Sequence, residues 1–267
     1  MTDTQNESDN RGLAIDRVGI RGLRHPLRVR DAHGTAEQPT IATMALAVDL
    51  PANLKGTHMS RFVEALNETG GLLDLCDPQP LPRRLLELLP ASRAHVEWDF
   101  PWFVEKPAPA TARPGLLDYQ VKLATDSNAD GTSASTLTLS IPVATLCPCS
   151  KAISEYGAHN QRGVVTFAVR TTEPVALAEL IPLVEQSASC ELYSMLKRPD
   201  EKIVTERAFD NPVFVEDLVR NIATHANAHS HITWYRIEAE NFESIHNHSA
   251  WAVIAPPPLE PLTPSSE

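Results

Sequence analysis

Apolar residues recur along the chain in two rhythms, and their order predicts an α+β protein. TIATMALAVDLP (40–51) is rich in β-branched and apolar residues and stops at Pro51, which predicts a strand ending in a turn. Phe62, Val63 and Leu66 then share one face of a helix that Gly70 and Gly71 terminate. LPRRLLELLP (81–90) reads as a second helix and leads into the aromatic strand AHVEWDFPWFV (94–104), with Pro107, Pro109 and Pro114 marking a loop. LLDYQVKLAT (116–125) and SASTLTLSIPVATL (133–146) flank the turn-rich DSNADG, a hairpin signal. GVVTFAVRT (163–171) is another strand. Helices over 176–189 and 213–229 separate it from a last strand over 231–245.

Adjacent strands in such an order pair antiparallel. No Gly-rich turn joins a strand to a helix and GxxxxGK[ST] is missing, so neither a dinucleotide-binding α/β sheet nor a P-loop fits. No short repeat is visible, although two similar halves, each strand-rich with helices on one face, are compatible with the pattern. Residues 1–12 and the tail APPPLEPLTPSSE lack apolar periodicity and read as mobile arms.

Composition narrows the partners. With 42% hydrophobic residues among 267, the chain can fill one large domain or two fused halves. Lys+Arg 23 against Asp+Glu 34 gives a net charge of −11, which opposes binding to a nucleic acid polymer but leaves room for a nucleotide held by a few local cations. No apolar run reaches the roughly 18 residues of a membrane span, and MTDTQNESDNRG lacks the features of a signal peptide, so a cytoplasmic protein is expected. Cysteines at 76, 147, 149 and 190 are too few and too irregular for a disulfide framework.

The candidate chemistry is concentrated late in the chain. Cys147-Pro148-Cys149 follows a predicted strand; Cys-x-Cys is not the spacing of structural zinc, so the pair reads either as two buried thiols or as one ligand with a neighbour. His159, in the polar loop YGAHNQRG, is a structural hydrogen-bonder or a site histidine. In extended geometry Ser244, His246 and His248 share one face with Glu243 on the other, giving either a pair of converging imidazoles or a polar strand end. His225, His229 and His231 offer a rival chelate or a solvated helix end, without the glutamate of a metalloprotease motif. Lys197, Arg198 and Lys202 surround Asp200 and Glu201 in a predicted turn, which is a solvated charge run or a carboxylate ligand beside phosphate-holding cations. Glu216, near a helix start, either complements the helix dipole or accepts two parallel N–H bonds from a guanine or pterin edge.

Four segments, LPANLKGTHMSRFVEAL, TLCPCSKAISEYGAHNQRG, SCELYSMLKRPDEKIVTERAFDNPVFVEDLVRNIA and NFESIHNHSAWA, together resemble the type IB GTP cyclohydrolase I family over residues 13–255. The resemblance implies a tunnelling fold, with antiparallel sheets carrying helices on one face and two modules per chain, assembled as a homotetramer with active sites near subunit interfaces. It implies conversion of GTP and water to 7,8-dihydroneopterin triphosphate and formate, the entry to tetrahydrofolate. On the matching positions Cys147, Glu201 and His246 are expected as metal ligands, His159 as a further ligand or proton shuttle, and Glu216 as the anchor of the purine or pterin ring. His248 is a second candidate proton carrier. Lys197 and Arg198, with Lys55, Arg61 and Lys151 behind them, are candidate partners of the triphosphate. A mixed sulfur, oxygen and nitrogen site accepts zinc, manganese or iron. A Cys147–Cys149 disulfide that releases the metal is a further expectation. The rival readings are a tunnelling-fold nitrile reductase using NADPH and a catalytically inactive metal-binding oligomer.

Overall fold

The computed structural model describes residue 5 and residues 7–255, so the predicted tail at 256–267 lies outside the described residues. In chain order the elements are β1 (Ile15–Arg30), β2 (Glu37–Leu50), α1 (Met59–Glu68), β3 (Leu72–Asp74), α2 (Pro80–Leu88), β4 (Arg93–Pro107), β5 (Pro114–Asn128) and β6 (Ser133–Leu146). They continue as α3 (Pro148–Ile153), β7 (Asn160–Thr171), α4 (Leu177–Glu185), β8 (Cys190–Glu191), α5 (Arg198–Asp210), α6 (Val215–Ala228), β9 (Ile232–Asn241) and β10 (Ala250–Ile254). The expected α+β class holds: β1–β2, β2–β4, β6–β8, β7–β9 and β9–β10 pair antiparallel, and the short β3 runs parallel to β1.

Among the described residues the chain divides into two compact units, one comprising those up to Phe100 with Lys122–Leu137 and the other Pro101–Val121 with 138–255. In the first unit the strand order is β6-β5-β4-β2-β1-β3. Alternation decides its core: Ala42, Met44, Leu46 and Val48 of β2 and Ala94, Val96, Trp98 and Phe100 of β4 are buried, whereas the residues between them are not, His95 excepted. Phe62, Ala65 and Leu66 of α1 and Leu81 and Leu85 of α2 are buried as well, as a one-faced apolar stripe requires. β1 escaped the sequence reading because Arg17, Arg21, Arg24, Arg28 and Arg30 break its apolar rhythm, with only Leu27 and Val29 buried. The described part of segment 1–12, expected as an arm, lies along 53–56: Ser8 bridges Leu54, and Lys55 pairs with Glu7 at 2.6 Å.

In the second unit the order is β10-β9-β7-β6-β5-β4, with β8 on β6. α6 packs on β9 and β10, and α4 on α6. Val165, Phe167 and Val169 of β7, Ile237 and Ala239 of β9, and Leu218, Val219 and Ile222 of α6 are buried. α4 ends at Glu185, before the expected 189, because Ser187 and Ala188 donate to Val184 and Glu185 in a tight turn that feeds Cys190 and Glu191 onto β6. The charge run at 197–202, expected as a turn, opens helix α5 instead; Pro199 and Asp200 are its start signals. β9 stops at Asn241 rather than 245.

A polar network ties this unit together. Lys106 meets Glu185 at 2.7 Å, Tyr119 donates to the same carboxylate at 2.7 Å, and Lys106 lies 4.9 Å over the ring of Tyr193. Tyr193 and Arg207 both donate to Glu191. Burial opposes the charge on Glu191, but the Tyr193 and Arg207 bonds prevail and hold its carboxyl down at about 2. Burial and the adjacent Glu191 carboxylate push the Cys190 thiol up to about 12. Among the cysteines, Cys190 is therefore an inert buried thiol.

Candidate active site

The site begins where β6 ends. Cys147 is the N-cap of α3: Ser150 donates its N–H to Sγ at 3.4 Å and its hydroxyl to the Cys147 carbonyl at 3.1 Å. The Cys147 N–H donates to the His159 carbonyl at 3.1 Å, and the His159 N–H donates to Ser150 Oγ at 3.2 Å, so the connection from 147 to 159 closes on itself. Cys147 is half-buried, whereas Cys149 is exposed, and both are free thiols. One step earlier, Val213 donates its N–H to the Leu146 carbonyl at 3.1 Å. That bond sets the start of α6, with Glu216 exposed in its first turn, beside the segment carrying Cys147.

Two side chains approach one nitrogen of His159. Its Nδ1 lies 3.0 Å from Gln161 Oε1 and 3.6 Å from Glu243 Oε2, and Gln161 Nε2 donates to Thr145 Oγ1 at 2.9 Å. Glu243 reaches this point because β7 and β9 pair as far as Gly163 opposite Asn241, after which Phe242 donates to the Arg162 carbonyl at 2.9 Å. A Cβ on Gly163 would stand 2.4 Å from Asn241 Oδ1, so only glycine admits this approach. Beyond Asn241 the chain turns. The extended geometry expected for 241–248 is thus replaced by a bend in which His246 donates its N–H to the Glu243 carbonyl at 3.4 Å. The rings of His246 and His248 nevertheless stack, 4.9 Å apart at 15°, both exposed. Glu243 and Gln161 were missed by sequence reasoning. Strict alternation placed Glu243 on the wrong face, and the uncharged Gln161 amide neither titrates nor attacks, so its residue type alone did not mark it.

Residues 1–252 match the family described as type I GTP cyclohydrolase folE2. The chain belongs to that family. It is 57% identical over 256 residues to a protein of Akkermansia muciniphila named GTP cyclohydrolase FolE2, covering 95% of this chain and 97% of the relative. A protein of the same name from Aromatoleum aromaticum is 50% identical over 254 residues, covering 95% and 93%. Uricase from Arthrobacter globiformis is similar in structure at 7% identity, with a TM-score of 0.50 and coverage of 93% of this chain and 96% of uricase. That likeness speaks for the fold alone, and the fold is the tunnelling fold. The nitrile reductase alternative has no support among these relatives. Among the described residues no helix is long and apolar enough to cross a membrane.

The remaining positions that the GTP cyclohydrolase resemblance singled out lie at α5. Lys197 and Arg198 are exposed at its start. Asp200 is fully buried and accepts from the N–H groups of Ala110 and Thr111 and the hydroxyl of Thr111, each at 2.8 Å, and from Lys197 N–H at 2.9 Å. Burial would raise its carboxyl, yet these bonds hold it at about 2. Glu201 is exposed beside it. Of the other cations, Lys151 donates to the Phe209 carbonyl and lies 4.3 Å over the Phe209 ring, Lys55 is paired with Glu7, and Arg61 donates to the Leu88 carbonyl at 2.7 Å. His225 bonds Ser187 and the Leu183 carbonyl, which makes it a packing residue between α6 and α4.

Cys147, His159, Glu201 and His246 supply sulfur, nitrogen and oxygen donors of the kinds that zinc, manganese and iron accept. The direction of the Cys147 sulfur is set by the Ser150 N–H, and His159 keeps Nε2 clear of the partners that engage Nδ1. By donor type the residues fit a divalent ion. Among the described residues of one chain, no three His, Cys, Asp or Glu side chains gather into a metal-holding group. The helix explains part of this. Glu201 precedes Phe209, the point where α5 meets Lys151, by a helical distance of about 12 Å at a rise of about 1.5 Å per residue.

Proposed function

We propose that this chain catalyses the conversion of GTP and water to 7,8-dihydroneopterin triphosphate and formate, in the cytoplasm, as the first step toward tetrahydrofolate. The observation that carries the proposal is the Val213–Leu146 hydrogen bond at 3.1 Å, which sets the Glu216 end of α6 beside Cys147 and thereby joins a base-edge acceptor to a thiol. Membership in the type I GTP cyclohydrolase folE2 family supports the substrate.

The residues divide the work. The Glu216 carboxylate accepts two parallel N–H bonds from the guanine edge, and the dipole of α6 favours its charge. Cys147, Glu201, His246 and His159 hold the divalent ion. The bound ion supplies the Lewis acidity that lets water attack C8 of guanine at neutral pH. His248, stacked on His246, carries a proton as the C8–N9 bond breaks and formate leaves. Formate takes C8 and the oxygens of two waters, one added at C8 before the C8–N9 bond breaks and one that hydrolyses the resulting formamide; closure of the freed amine on the ribose-derived carbonyl returns one water, so one is consumed overall. Lys197 and Arg198, exposed at the start of α5, hold the triphosphate while the ribose carbons close the new ring. A homotetramer with sites at subunit boundaries accounts for a site whose donors do not converge within one chain.

The test is direct. Purified protein is incubated with GTP and zinc, manganese or iron, and formate and the fluorescent oxidised pterin are measured. Product that depends on the ion and disappears in Cys147→Ala is expected. Absence of product with every ion, or full activity in Cys147→Ala, overturns the assignment. Light scattering after gel filtration reads the tetramer separately.

A further inference from the structure

We infer that Gln161, held by Thr145, is a positioning residue that fixes the tautomer of His159 and leaves Nε2 as the nitrogen facing the chemistry. The inference deepens the cyclohydrolase reading and rests on it only for what that nitrogen then does.

Thr145 is fully buried on β6 and Gln161 is buried on β7. The Gln161 amide donates through Nε2 to Thr145 Oγ1 at 2.9 Å, which turns Oε1 toward His159 Nδ1 at 3.0 Å. A carbonyl oxygen only accepts, so Nδ1 carries the proton. The reversed amide would present NH2 to Nδ1 and require a bare nitrogen there. Glu243 rules against that arrangement, because its Oε2 lies 3.6 Å from the same Nδ1 and a lone pair facing a carboxylate is repelled. Two neighbours on two different elements thus ask for the same protonated atom. In the neutral ring the lone pair then belongs to Nε2, the atom that ligates an ion or takes a proton.

The amide is also the right chemistry for orientation without charge. It accepts at Nδ1 through Oε1 and brings no net charge to the ring. Polar groups that grip the far nitrogen of an imidazole typically set its affinity for metal to within about 10–100-fold.

The experiment reads the tautomer without turnover. Full-length, metal-free protein carrying 15N-histidine gives a long-range 15N spectrum in which His159 is assigned by its loss in His159→Gln. Nδ1–H with a bare Nε2 is expected for His159. Gln161→Met, which keeps length and removes the acceptor, is expected to mix the tautomers and weaken zinc binding by about 10–100-fold. Its kcat falls while KM for GTP stays within about twofold, the signature of a lost interaction at the reacting centre. Should Gln161→Met fail to fold, Thr145→Val keeps the shape, frees the amide and gives the same mixing. An Nε2–H signal in the unaltered protein overturns the inference. So does a folded Gln161→Met or Thr145→Val with unchanged tautomer and zinc affinity. Failure of the unaltered protein to release formate would overturn the cyclohydrolase reading and leave the tautomer result standing.

Discussion

The strands β1, β2, β4 and β5 of the first half of the chain and β6, β7, β9 and β10 of the second follow the same order, but their connections do not. Residues 31–36 join β1 to β2 with no helix, whereas 147–159 join β7 to β6 through α3 and carry Cys147 and His159. Between α1 and α2 stands only β3; between α4 and α6 stand β8 and α5, with Lys197, Arg198 and Glu201. Residues 108–113 form a tight turn whose N–H groups hold Asp200, whereas 242–249 carry Glu243, His246 and His248. The strands are the part that the two halves share, and the residues proposed for the chemistry sit in the connections of one half, where change leaves the sheet intact.

The largest effects should therefore fall on one side of that division. His159→Ala is expected to lower formate release by more than about 100-fold, since it removes a metal donor outright where loss of a group that only orients one costs about 10–100-fold. Thr35→Ala, an exposed change in the corresponding connection of the first half, leaves the rate unchanged. Steady-state assays of both variants check this. A comparable loss in Thr35→Ala would show that the plain connection also serves the reaction.

How much of this was legible depends on burial. β2, β4, β5, β6, β7 and the helices α1, α2 and α6 could be read because one face of each is apolar. β1 and α5 could not. The former interrupts its apolar residues with five arginines, and the latter buries only Asp200 and Ala208, so neither offers an apolar rhythm. β3 and β8 are too short to carry any period. In the site, Cys147, His159 and Glu216 stood out by residue type. Gln161 did not, although its position two residues after His159 at a strand start gave a signal, since such residues share a face. Glu243 was lost for the opposite reason: alternation was trusted past Asn241, where the strand had ended.

The second contrast lies in how each unit holds its charges. Lys106 and Glu185 are 15% and 10% exposed and share Tyr119 and Tyr193, so removing one charge strands the other. Lys106→Met is expected to cost about 3–5 kcal/mol by urea unfolding. Replacing both partners, Lys106→Met with Glu185→Leu, should recover most of that loss, because no unpaired charge is then left buried. A single variant as stable as the parent would mean that water reaches Glu185.

Acid should strike the second unit through Glu191 and Asp200. Both carboxyls are held at about 2 in the fold, by Tyr193 and Arg207 in one case and by the N–H groups of Lys197, Ala110 and Thr111 in the other. Their ordinary values are 4.5 and 3.8. A depressed native pKa gives stability that is complete above the unfolded value and is lost as pH falls from about 4.5 toward about 2. Thermal melts across that window should show the loss, and Glu191→Gln should flatten it while lowering stability at neutral pH. An unaltered acid slope in Glu191→Gln would assign the loss to other carboxylates.

The smallest effect belongs to the first unit. Arg28 reaches Glu37 at 2.8 Å, but its side chain is 55% exposed, and Arg30 already binds Glu37 and Asp74 at 2.7 and 3.0 Å. Water screens the pair, and Glu37 keeps a partner when Arg28 is gone. Arg28→Ala should thus cost less than about 1 kcal/mol, and the cost should shrink further in about 1 M salt, where screening acts over roughly 3 Å. Urea unfolding at low and high salt measures both. If Arg28→Ala cost as much as Lys106→Met and ignored salt, the pair would have to be covered in the assembled protein, and the first unit's arginine-rich β1 would count as interface rather than free surface.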